Sequence, residues 1–166
     1  NVGFYQNPHS GNGFALGNFY YDKTSPFPPS PLPINYRDYI QGRLISKLIA
    51  GKTYCASFWI NYIECSGYAH NKMGAYLDDG KINGLSTTPG SEITTIIPQV
   101  YTDSIIKDTL NWTKIEGSFL ATGNENYISI GLFFNNSAIS KILTNYCSAS
   151  TQYSAYLIDD VSVIPI

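Results

Sequence analysis

Residues Thr53 to Ile63 alternate without interruption, with Tyr54, Ala56, Phe58, Ile60 and Tyr62 on one parity and Thr53, Cys55, Ser57, Trp59 and Asn61 on the other. A period of two fits a pleated strand with one face in a core, and it excludes a helix, whose apolar positions recur every three or four residues. Ile115, Gly117, Phe119 and Ala121 likewise alternate with Lys114, Glu116, Ser118 and Leu120. Ile128, Ile130, Leu132 and Phe134 alternate with Tyr127, Ser129, Gly131 and Phe133. The intervening Thr122-Gly123-Asn124-Glu125-Asn126 is turn chemistry, so these two runs are expected to pair as an antiparallel hairpin. Further strands are expected over Gly13–Tyr20, Tyr36–Ser46, Tyr68–Leu77, Gln99–Thr102 and Ala155–Ile164. About eight short strands with one apolar face each predict an all-β fold, a two-sheet antiparallel β-sandwich of jelly-roll type.

The chain of 166 residues suits one domain with its own core. The stretch Lys23–Pro33 is studded with prolines that cannot donate to a β-ladder, so it is expected to run as an extended surface loop. A linker or a PxxP ligand would have the same composition, but residues 1–22 are too few to stand alone, which favours a loop within the domain. Asp78-Asp79-Gly80 is expected to close another turn. The chain starts at Asn1 rather than Met, so a preceding segment, removed or omitted, is expected.

In Tyr156-Leu157-Ile158-Asp159-Asp160-Val161-Ser162-Val163 two carboxylates interrupt an apolar strand, and the apolar parity slips by one residue across them. A bulge at Asp159-Asp160 accounts for the slip. Adjacent carboxylates on a strand need protons, hydrogen-bond donors or a hard cation. One aspartate in solvent with the other capping loop backbone is equally compatible with the octet.

A net charge of −2, with 13% charged residues and no Lys/Arg run, argues against nucleic acid. No apolar run approaches bilayer length, so membrane insertion is not expected. Cys55, Cys65 and Cys147 leave at least one thiol unpaired within the chain, and a bridge between Cys65 and Cys147, both in loop-like sequence, is one option. His9 and His70 have no ligand-spaced partner, and His70 reads as an edge residue of the Tyr68 strand. Asp38, Glu64, Glu116 and Glu125 are scattered, with no nucleophile elbow, phosphate loop or HExxH, so an enzyme is not expected.

Six segments follow one another along the chain: His9-Ser10-Gly11-Asn12-Gly13-Phe14-Ala15, Tyr36-Arg37-Asp38-Tyr39-Ile40-Gln41, Leu48-Ile49-Ala50-Gly51-Lys52-Thr53-Tyr54, Gly74-Ala75-Tyr76, Asn111 through Phe119, and Ile158-Asp159-Asp160-Val161-Ser162-Val163. Together they resemble the galactose-binding-like, carbohydrate-binding-module type of jelly roll found in large secreted surface proteins of gliding bacteria, exported by the type IX route. The resemblance spans nearly the whole chain. It implies an extracellular, cell-surface module that binds a glycan or mediates adhesion. It also implies a structural calcium (Ca2+), with Gly11 and Asn12 contributing main-chain oxygens and Asp160, with Asp159, contributing carboxylates. The Asn-x-x-Phe-Glu first strand of that type is missing here, which predicts an open sheet edge for a neighbouring segment or subunit to pair with.

Trp59 falls on the polar parity of its strand, where a sugar ring could stack. With Asn61, Arg37, Tyr39 and Gln41 it forms the candidate ligand-binding set. A loop covering Trp59 is the competing reading, and Trp112 is expected to plug the core. The functional alternative to glycan binding is a structural unit that packs against other proteins in a surface appendage or fibre, with no sugar ligand.

Overall fold

The computed structural model describes residues 6–21, 36–84, 92–144, 147 and 152–166. Ten strands run along them: β1 Ala15–Tyr21, β2 Ile40–Arg43, β3 Thr53–Tyr62, β4 Tyr68–His70, β5 Met73–Asp78, β6 Val100–Tyr101, β7 Thr113–Leu120, β8 Tyr127–Leu132, β9 Lys141–Leu143 and β10 Tyr153–Pro165. Two four-stranded antiparallel sheets, ordered β1-β10-β3-β7 and β2-β8-β5-β6, form the sandwich, and β4 pairs with β9 alongside. The all-β jelly-roll expectation holds. The proline-rich stretch expected as a surface loop lies outside the described residues.

Alternation decides the core. Tyr54, Ala56, Phe58, Ile60 and Tyr62 of β3 face Met73, Ala75 and Leu77 of β5 and Ile128, Ile130 and Leu132 of β8 across the sandwich, with Phe19, Tyr156 and Ile158 completing it. The disulfide Cys65–Cys147 forms, while Cys55 stays a free thiol on the other parity of β3.

Three expectations are corrected. β7 and β8 are not a hairpin, because β7 lies beside β3 in one sheet and β8 between β2 and β5 in the other. The turn between them is a corner held by Glu125, whose carboxylate accepts from the Thr122 N–H at 2.9 Å, the Thr122 hydroxyl at 2.8 Å and the Gly123 N–H at 2.9 Å. Burial would raise this carboxyl, but the donors outweigh it and hold its pKa below the usual carboxylate range. The Tyr68–Leu77 run splits into β4 and β5 around Lys72, which takes a left-handed φ of 65°. His70 is not an edge residue: it is wholly buried, edge-on to Tyr156 with ring centroids 5.2 Å apart.

The bulge in the last strand is present. Asp159 pairs with Trp59 and Ser162 with Ser57, so three steps on β10 match two on β3, and Asp160 adopts a left-handed φ of 46°.

Candidate functional site

The expected ligand-binding set does not converge. Trp59 and Asn61 lie on the outer face of the β1-β10-β3-β7 sheet, whereas Tyr39 and Gln41 belong to the opposite sheet. Trp59 is covered, as the competing reading had it: the His9 imidazole stacks on it at 3.8 Å between centroids and 19° between planes. Asn61 is buried and donates to the Asp108 and Asn111 carbonyls at 3.3 and 3.1 Å. Trp112 is no core plug; it packs beside His9 and Phe14 and donates its indole N–H to the Asn7 carbonyl at 3.0 Å.

Arg37 is the largest correction, since this guanidinium is only 2% exposed. It donates to the Leu132 and Phe134 carbonyls at 2.7 and 2.6 Å and to Asn136 Oδ1 at 2.7 Å, and it pairs with Glu92 at 3.2 Å. Its donors are consumed in tying the end of β8 to the neighbouring loops, so it is a structural clamp rather than a ligand contact.

Asp159 and Asp160 hold the His9-Ser10 loop. Asp159 Oδ2 accepts from the backbone N–H of His9 at 2.8 Å and of Ser10 at 3.4 Å, and its Oδ1 accepts from the N–H of Asp160 at 2.7 Å. Asp160 Oδ1 accepts from the Ser10 hydroxyl at 2.5 Å, and its Oδ2 lies 2.6 Å from His9 Nδ1, which as the protonated nitrogen donates. The Ser10 and His9 hydrogen bonds, followed by the charge of His9, hold the Asp160 carboxyl below its ordinary pKa. Calcium requires six to eight oxygen ligands. Here all four carboxylate oxygens already face N–H or O–H donors, while Gly11 and Asn12 sit in an exposed turn with Gly11 at φ 61°. The donor set as arranged does not fit that ion. Among the described residues no cluster of three His, Cys, Asp or Glu side chains gathers elsewhere either.

The outer face of the β2-β8-β5-β6 sheet offers a different surface. Its inward residues are Ile40, Ile128, Ile130, Leu132, Met73, Ala75 and Leu77, so the alternate positions point outward. Register sets them in transverse rows. Arg43, Tyr127 and Asp78 are paired across β2, β8 and β5, and Gln41, Ser129 and Tyr76 form the next row. Gln41 Nε2 donates to Ser129 Oγ at 3.0 Å. Tyr127 is seated on Gly80, which has a φ of 92°, and a Cβ there would meet the ring at 2.7 Å. Asp78 Oδ1 caps this same turn by accepting the Gly80 N–H at 3.0 Å, so the expected turn role holds and fixes the carboxylate.

Beyond these rows Tyr39 lies across Gly131, where an added Cβ would meet its ring at 2.5 Å. Its hydroxyl donates to the Leu132 carbonyl at 3.1 Å and accepts the Ile93 N–H at 2.7 Å. Ile82, Ile93 and Phe133 bury that end of the face, with Tyr39 and Tyr76 packed against them. Burial first, then the charges of Asp78, Asp79 and Glu125, raises the Tyr76 phenol, which therefore stays a neutral donor. Of the expected set, only Gln41 and Tyr39 reach this face. Arg43, Tyr127, Asp78 and Tyr76 were missed, although the polar parity of Tyr127 and Ser129 on β8 carried the signal.

No family model matches the sequence, and no curated protein matches it. Solved structures do. A structure described as "CBM4 structure and function" is 12% identical, with 83% of this chain and 67% of that chain covered and a TM-score of 0.41. The CBM22-1 xylan-binding domain of Xyn10C from Paenibacillus barcinonensis is 13% identical, with 98% and 90% covered and a TM-score of 0.40. The CBM22-1-GH10 modules of Clostridium thermocellum Xyn10B, complexed with xylohexaose, are 16% identical, with 76% of this chain and 19% of that chain covered and a TM-score of 0.39.

Proposed function

We propose that this chain is a non-catalytic, secreted carbohydrate-binding module whose glycan lies along the outer face of the β2-β8-β5-β6 sheet. The observation that carries the reading is the Arg43–Tyr127–Asp78 row, which sets an orientated phenol between a guanidinium and a carboxylate on rigid strands. An aromatic ring offers apolar area to the C–H face of a pyranose, and flanking planar polar groups accept and donate to its hydroxyls. Gln41, one row along, extends the polar contacts parallel to the strands.

Glycoside hydrolysis uses two carboxyl groups, one of them raised in pKa to act as an acid. Asp79 is held low by its hydrogen bond to Lys81, and Glu125 is held low in its corner, so neither supplies that acid. The Cys65–Cys147 bridge belongs in an oxidising compartment, which supports secretion.

The test is affinity electrophoresis through gels containing xylan, mixed-linkage β-glucan or mannan, followed by calorimetry on the retarded polymer. Tyr127→Ala and Arg43→Ala are each expected to weaken binding by about tenfold or more, which is ~1.4 kcal/mol. Trp59→Ala, beneath His9, is expected to leave it unchanged. Free migration in every gel, or full binding by Tyr127→Ala, would overturn the assignment.

A further inference from the structure

β1 meets β10 only up to the pair Ala15–Ile158, whereas β3 follows β10 on its other edge as far as Pro165. Beyond the bulge, Val161–Pro165 therefore has one sheet edge without a strand among the described residues. β2, the outer strand of the opposite sheet, likewise pairs only with β8. The two unpartnered edges flank a groove of about 630 Å³. Its floor is core, formed by Leu48, Tyr54, Ile128 and Ile130, and its rims include Ile45, Val161 and Val163. Ile45 is fully exposed and Val161 is 43% exposed.

We propose that this groove accepts an extended polypeptide strand supplied from outside the described domain, added to the sheet against Val161–Pro165. Three observations specify the occupant. An edge about 15 Å long that no strand pairs among the described residues, with Pro165 offering a carbonyl but no N–H, matches another β-strand, because a strand repeats every ~3.3 Å. An apolar floor under a solvent-facing opening calls for alternate side chains, apolar inward and polar outward. Among the described residues Arg43 is the only charged side chain lining the groove, at its rim, and no carboxylate does, so a neutral or acidic strand is matched and a basic one repelled. The second apolar parity of β10 then has a reason, since Val163 packs against the core from a strand whose neighbour position is open.

The probe is a synthetic peptide of about nine residues alternating valine and threonine with one glutamate. Its control carries proline at alternate positions, which removes ladder donors. Titration into the full chain, followed by amide NMR shifts, is expected to perturb Val161–Ile164 and Ile40–Arg43. The proline peptide should bind at least about tenfold more weakly, and so should the valine peptide to Ile45→Asp or Val161→Asp protein. Both variants change solvent-accessible side chains and should keep glycan binding, so a failure here is distinguishable from failure of the glycan assignment. The inference is overturned by no shift at about 1 mM peptide, by equal binding of the proline peptide, by a dimer that peptide does not dissociate, or by an oligosaccharide that occupies the groove instead.

Discussion

The two halves of β10 have nearly the same apolar content and opposite fates. Before the bulge, Tyr153–Ile158 is flanked by β1 on one edge and β3 on the other, and Tyr156, Leu157 and Ile158 are all buried. After it, Val161–Pro165 has β3 alone among the described residues, and Val161 and Ile164 are exposed while Val163 is only partly covered. The contrast separates two requirements that a sequence pattern merges. Alternation assigns a side chain to a face, but a neighbour on each edge is what excludes water from that face.

The sharpest way to break this comparison is truncation on either side of the bulge. Ile158→Ala removes methylenes from a fully packed position and should cost about 2–5 kcal/mol in urea unfolding. Val163→Ala, on the open side, should cost about 1 kcal/mol or less. Equal losses would mean the groove wall is packed as tightly as the core.

Acid gives the next largest effect, and it falls on the first half. His70 packs edge-on to Tyr156, and burial, against a raising hydrogen bond from Asn71, lowers its pKa from 6.5 to about 4. The unfolded chain therefore takes up a proton near pH 6.5 that the folded one refuses. The stability this histidine contributes is complete above pH 6.5 and is lost as pH falls from there to about 4. The full loss is about 3 kcal/mol. Urea titrations across that range should show the slope, and His70→Gln should flatten it; an unchanged slope would remove His70 from the account.

The smallest effect concerns the half-buried aspartates at the junction. Because the Asp160 pKa is lowered, its hold on the His9-Ser10 loop is present above the ordinary aspartate pKa and is lost only as pH falls through the lowered value. Tryptophan fluorescence should therefore stay constant down to about pH 4 and shift below it as His9 leaves Trp59. Asp160→Asn should show part of that shift at neutral pH. Calcium should leave the signal and the melting temperature unchanged; a calcium-dependent rise would mean the carboxylates exchange loop donors for metal.

Much of the scaffold was legible in the residues. The face assignment of β3, the bulge at Asp159-Asp160 and the Cys65–Cys147 option all follow from local pattern. Sheet membership did not, because β7 and β8 alternate as hairpin strands would, while the corner that carries the chain from one sheet to the other is held by the buried Glu125 and by backbone bonds from Ala121 and Asn126 to distant segments. Trp59 was rightly placed on the outer parity, but its cover comes from His9, fifty positions earlier, through contacts that no periodicity encodes. Arg37 misled for a related reason. A guanidinium reads as surface until three oxygen acceptors converge on it, and that convergence exists only after β8 and its following turn are in place. The row proposed to meet the glycan was the least visible part, since Arg43, Tyr127 and Asp78 are far apart along the chain and meet only through strand register.

That register also separates the outward row from the core it is built on. Arg43, Tyr127 and Asp78 each stand next to a residue that builds the interior, Leu44, Ile128 and Leu77, yet point the other way. Exchanging Arg43 leaves all three inward residues untouched, whereas Asp78 and Tyr127 also hold the Gly80 turn, so the scaffold gives most freedom to change at the β2 end of the row.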